Sequence, residues 1–171
     1  MNIVYIILIV IVVIFLIIMF FDITKYKLDG FTKKISLVED KIDFLLDIKY
    51  NNIIKIDEII KEKIQTEKEI IDDIESLKSD DKSKSEIDFA LEDALTKIEY
   101  IKDQYDELEN EEELNNLFTN INTNNETLTA YKKFYDDNVK EYNKIINSFP
   151  YNITAKLFKH SNKKLFEPEN E

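Results

Sequence analysis

Residues 3–21 read IVYIILIVIVVIFLIIMFF. Across these 19 positions there is no charge, no glycine and no proline, and the one polar group is the Tyr5 hydroxyl. At 1.5 Å rise per residue the run spans roughly 29 Å, close to the bilayer hydrocarbon thickness of about 30 Å. Seventeen of the 19 are Ile, Leu, Val or Phe. At about −0.3 to −0.6 kcal/mol each, membrane insertion is favoured by roughly 5–10 kcal/mol. A core helix of a water-soluble protein keeps a polar face, and this segment has none. A cleaved signal peptide needs a basic start, a shorter apolar stretch and a small-residue cleavage site. Here only Asn2 and the α-amino group lead in, and Phe20-Phe21-Asp22-Ile23 follows. Residues 1–24 are therefore predicted to be an uncleaved, single-pass transmembrane anchor.

Charge placement predicts the orientation. Lys25, Lys27, Lys33 and Lys34 follow the span and no Lys precedes it. Positive charge stays inside, so the expectation is a cell-membrane protein with its N-terminus outside and its body cytoplasmic. The 171-residue chain suffices for one anchor and one domain. Its net charge of −12 lies wholly after residue 21. That argues against nucleic acid, which calls for a basic footprint. The chain has no cysteine, so disulfides, thiolate metal sites and thiol nucleophiles are excluded.

Beyond the anchor the pattern is helical throughout. Residues 25–34 read as a juxtamembrane segment, where Gly30 either breaks the helix or is run through at about 1 kcal/mol. From about 32 to 78 apolar residues recur at steps of three and four, including Ile35, Val38, Ile42, Leu45, Tyr50, Ile53, Ile56, Ile60, Ile64, Ile71, Ile74 and Leu77. This is one long helix, or two if it bends near Gln65-Thr66. Ser79 to Ser85 has no apolar residue and reads as a loop, with Ser85 and Asp88 as the expected capping pair of the next helix. That helix carries Ile87, Leu91, Ala94, Leu95, Ile98, Ile101, Tyr105 and Leu108. Asn110 is the expected cap of a third stripe running from Leu114 to Phe149, which Pro150 ends. Glu111, Glu112 and Glu113 suit the positive end of its dipole. The spaced apolar residues after Pro150 predict a tail folded back on the body. No stretch alternates with a period of two. The expected fold is all-α: one transmembrane helix, then an antiparallel up-and-down bundle of three to four long helices over residues 35–158, with a tail at 159–171.

The carrying residues of a family likeness lie late in the chain: Tyr135-x3-Val139-x2-Tyr142-Asn143-x2-Ile146-x2-Phe149-Pro150, then Asn152-Ile153-x-Ala155-x-Leu157-Phe158, then Phe166-Glu167. They resemble the LemA family, whose members show a YN…V…YN…I…FP turn, an N-I-x-A-x-L-F block and a terminal F-F-E. Ile42-Asp43-Phe44-Leu45-Leu46, Glu67-Lys68-Glu69-Ile70, Tyr105-Asp106-Glu107-Leu108 and Asn125-Glu126 with Tyr131 are similar to further family segments. Departures include Ile48-Lys49 where the family has an arginine pair, Ile54 for a proline, Glu62-Lys63 for Gly-Tyr, Thr66 for His, Glu39 for Trp, and Lys159-His160 for Gly-Phe. The resemblance implies a membrane-anchored, largely antiparallel helical bundle. It implies no reaction, because the family has no established activity.

The residues offer no catalytic set. His160 is the single histidine, and its neighbours Lys159, Ser161 and Asn162 are not metal ligands in sensible spacing, so it reads as an exposed tail residue. No base is placed for a serine nucleophile. The acidic run 106–113 lacks the order and the turn glycine of a calcium loop and reads as solvated helix ends. Asn152-Ile153-Thr154 is a glycosylation sequon but reads as structural. Tyr131, Tyr135 and Tyr142 read as core packing with rim hydroxyls rather than an aromatic contact surface. Asn125 on the apolar stripe either fixes helix register or faces a gap. The expectation is a non-enzymatic, membrane-anchored bundle with no cofactor, metal or small-molecule substrate, acting as an interaction or scaffold element for unidentified proteins. The alternative is a homo-oligomeric coiled-coil structural or membrane-organising protein.

Overall fold

The computed structural model describes residues 3–64 and 82–166. Five helices occur among them: α1 Ile3–Ile64, α2 Lys84–Lys102, α3 Asp106–Glu109, α4 Glu112–Asn147 and α5 Tyr151–Leu157. There is no strand among the described residues, as the pattern predicts. The expected bend at Gln65-Thr66, the stripe positions Ile71, Ile74 and Leu77, the start of the loop and the family-like Glu67-Lys68-Glu69-Ile70 lie outside the described residues.

α1 settles the Gly30 alternatives. The helix runs through Gly30 without a break. A Cβ built there would meet no atom within 4 Å, so the glycine serves neither a kink nor a close approach. The side chains from Ile3 to Met19 are all exposed, while those further along the same helix alternate between buried and exposed. α1 thus holds one stretch long and apolar enough to cross a membrane.

By contacts the residues form two units, residues 1–37 with 135–171 and residues 38–134. In the first, Leu28 and Ile35 of α1 pack against Val139, Tyr142, Ile145 and Ile146 of α4 and Ala155 of α5. Phe31, Tyr135, Tyr151 and Leu165 close over this cluster. The tail folds back as expected. Asn143 Nδ2 donates to the Lys163 carbonyl at 2.8 Å, and Lys163 N–H donates to Asn143 Oδ1 at 2.9 Å. Asp136 accepts from Phe166 N–H, and the Phe166 ring is buried.

In the second unit α1 contributes Val38, Ile42, Leu45, Leu46, Ile53, Ile56 and Ile60 to the core. α2 contributes Leu91, Ala94, Leu95 and Ile98, and α4 contributes Leu114, Phe118, Ile121 and Leu128. α4 runs antiparallel to α1, with Lys63 bonded to Glu111 beside the start of α4. It also runs antiparallel to α2, with Lys132 on Asp88 and Lys102 on Asn115. α1 and α2 run in the same direction, since Lys84 pairs with Glu39 and Asp43 while Lys49 pairs with Asp88. The chain between Ile64 and Lys84 is long enough to allow this.

Two expected caps are displaced. The N-cap of α2 is Ser83, not Ser85: its hydroxyl accepts from Glu86 N–H and the Glu86 carboxylate accepts from Ser83 N–H at 2.7 Å. Glu86 reaches back where Asp88 cannot, because Asp88 is drawn into the core by lysines. Asn110 closes α3 instead of opening α4, and the first α4 bond runs from Asn115 N–H to the Glu111 carbonyl. Glu112 and Glu113 do occupy the first turn of α4, as the dipole requires.

Candidate functional site

Two polar clusters stand out, one in each unit. In the second unit Lys49 falls on the apolar stripe of α1, four residues from Leu45 and from Ile53, and only 1% of its side chain is exposed. Its ammonium lies 3.0 Å from Asp88 Oδ1, and Glu92 Oε1 accepts a second bond. Asp88 is itself buried and takes a second partner, Lys132 Nζ, at 2.8 Å on Oδ2. Asn125 Nδ2 donates to Glu92 at 3.2 Å. Asn125 therefore neither faces a gap nor sits idle: it ties α4 to the α2 end of the cluster. Each cation has a carboxylate, so the arrangement satisfies buried charge rather than presenting a reactive group. Near it, Lys84 bonds Asp43 and Glu39. Burial lowers its pKa, and the hydrogen bonds that its ammonium donates to Asp43 and Glu39 outweigh that and hold it above the ordinary lysine value.

The second cluster was not expected. His160 is mostly buried, with its Nδ1 hydrogen-bonded to the Tyr142 hydroxyl at 3.1 Å and its Nε2 3.6 Å from Asp29 Oδ1. The reading of His160 as a free tail residue is thus corrected. Its position is set by the end of α5: Lys159 takes φ 59°, and His160 N–H donates to the Ala155 carbonyl at 2.8 Å while Lys159 N–H donates to Lys156. This is a left-handed helix stop of the Schellman type, which normally calls for glycine. Burial raises the Tyr142 pKa, the Thr32 hydroxyl opposes this, and the Asp29 carboxylate adds to it.

The motif residues of the last third divide by location. Val139, Tyr142, Ile146 and Ala155 are core, and Asn143 clamps the tail backbone. Tyr135 donates to the Lys164 carbonyl, a rim hydroxyl as predicted. Thr154 of the sequon is fully buried and Asn152 is half-buried, so the segment is packed. Phe149 departs from the core stripe: 80% of it is exposed, and Leu157 is exposed as well. Phe158 lies under the Lys25 ammonium, 4.9 Å from the ring centre.

A family model described as the LemA family matches residues 39–171, well over half of the chain. The chain belongs to the LemA family. Neither the curated proteins nor the solved structures give a match. Two of this LemA protein's departures now have a place. Lys49 supplies the central cation of the buried cluster. Lys159-His160 puts a lysine in the left-handed stop and gives the Tyr142 hydroxyl an imidazole partner. Sequence reasoning missed the lysine cluster; the one signal was that Lys49, Asp88 and Lys132 each sit three or four residues from core positions.

Proposed function

We infer that this LemA-family protein is a non-enzymatic, single-pass membrane protein whose helical body lies on the cytoplasmic face and serves as an interaction or scaffold element. The observation that carries this is the first stretch of α1, where Ile3 to Met19 expose a continuous apolar surface along a helix of bilayer-spanning length. Lys25, Lys27, Lys33 and Lys34 at its downstream end support the cytoplasmic orientation of the body. The polar clusters support a structural role, because their groups are spent on one another and on the tail. Phe44, Phe89 and Tyr100 are large exposed side chains of the kind used in protein contacts.

The test is proximity labelling from the cytoplasm in intact cells, followed by extraction in mild detergent. The expected result is labelling of the body and recovery of stoichiometric partners. Labelling only from outside, or recovery of a lone monomer, overturns the reading. A ladder of chemically crosslinked copies selects the homo-oligomeric alternative.

A further inference from the structure

α5 is amphipathic the wrong way round for a helix in water. The face it packs inward carries Thr154, fully buried, and Ala155, at 2% exposure. The face it turns outward carries Ile153 and Leu157, one turn apart, with Phe149 just before the helix. These are 49%, 63% and 80% exposed. Scattered exposed apolar residues are ordinary, but a helix that buries its threonine and bares its leucine is not.

The location of α5 explains the inversion. Pro150 and Ile153 form one side of an apolar groove whose other side is Val13, Leu16, Ile17 and Phe20 of the span. The Tyr151 ring lies 5.8 Å from the Phe20 ring. The helix therefore starts beside the last turns of the apolar run. It ends beside Lys25, whose ammonium covers Phe158. Lys25, Lys156 and Lys159 are exposed in this region, against the carboxylates Asp22 and Asp29. An apolar face level with the end of a span, rimmed by lysines, matches the boundary between acyl chains and anionic headgroups.

We propose that the Phe149–Pro150 turn and α5 form a second membrane element, with Phe149, Ile153 and Leu157 seated in the headgroup–acyl boundary beside the span. This rests on α1 being a membrane anchor. It makes the attachment two-point: α1 crosses the bilayer, and α5 lies on it. The occupant is the bilayer itself, because the exposed face continues the surface of the span and carries the complementary charge.

The chain has no tryptophan, so single tryptophans report without background. Full-length Phe149→Trp and Leu157→Trp variants, reconstituted in phosphatidylcholine–phosphatidylglycerol vesicles, are compared with Phe15→Trp in the span and Phe89→Trp on α2. The expected result is blue-shifted emission for Phe149→Trp and Leu157→Trp, quenching by brominated acyl chains, and shielding from aqueous iodide. Phe89→Trp should remain open to iodide. Quenching of Phe15→Trp by brominated lipid with Phe149→Trp and Leu157→Trp as iodide-accessible as Phe89→Trp overturns the α5 proposal alone. Failure of Phe15→Trp to meet brominated lipid overturns the anchor reading and the proposal with it. Shielding from iodide without brominated-lipid quenching shows that protein covers the face and also overturns the proposal.

Discussion

The cluster around Lys49 gives the sharpest quantitative expectation. The perturbation is Asp88→Asn, which keeps the shape and removes the charge. At the observed Lys49–Asp88 separation of 3.0 Å, a unit pair at an effective dielectric constant of 20 interacts by about 5.5 kcal/mol. Lys132 on the opposite oxygen loses this carboxylate in the same step. The cost does not vanish into solvent, because Lys49 is 1% exposed and Glu92, the remaining anion, is half in water. Removing one partner of a buried pair costs about 3–5 kcal/mol. For a chain of this size each kcal/mol moves the melting temperature by about 2–4 °C, so the drop should be roughly 6–20 °C. The assay is urea and thermal unfolding of the full-length chain in detergent, followed by helical circular dichroism. Lys49→Met, Asp88→Leu and Lys132→Met combined should recover most of the loss, since an apolar replacement removes the need for pairing. A loss from Asp88→Asn below about 1 kcal/mol, the range of exposed ion pairs, refutes the picture of a desolvated cluster.

Three further expectations use the same unfolding assay. Lys159→Gly should stabilise by about 1–2 kcal/mol, because an L-residue at φ 59° bears that cost and glycine does not; no gain would mean the tail contacts hold the stop regardless. Gly30→Ala should stabilise by about 0.8–1 kcal/mol, since the new methyl enters open space on a continuous helix; a loss would reveal an unseen neighbour. Stability should fall in alkali. Tyr142 and Lys84 both hold their protons more tightly when folded, so their contribution is complete below the unfolded values near about 10 and is lost as pH rises through the folded ones. Comparison of urea midpoints at about pH 8 and about pH 11 should show a smaller drop for Tyr142→Phe than for the parent.

Periodicity was enough for the helix faces that are buried among the described residues and for the folded-back tail, and unbroken apolar composition for one helical stretch long enough to cross a membrane, because burial of a helix face repeats every three or four residues whatever it faces. What escaped it depends on partners distant in sequence. Asp88 reads as a capping residue until Lys49 and Lys132 arrive beside it, and Glu86 then completes the cap with Ser83. His160 reads as exposed because its neighbours in sequence are polar, whereas its neighbours in space are Tyr142 and Asp29. Asn110 has the right chemistry to open a helix, yet it closes α3 instead. Phe149 fits the stripe by spacing, but α4 ends at Asn147 and frees it from that face.

Leu28 and Ile35 are covered by Val139, Tyr142, Ile146 and Ala155, about a hundred residues later in the chain. During synthesis the stretch just past the apolar run must therefore wait, greasy side uncovered, until Ala155 has emerged from the ribosome. Closing so wide a gap is entropically slow compared with winding a local helix. A nascent chain stalled before that point would present naked isoleucine and leucine, a natural target for chaperones and proteases.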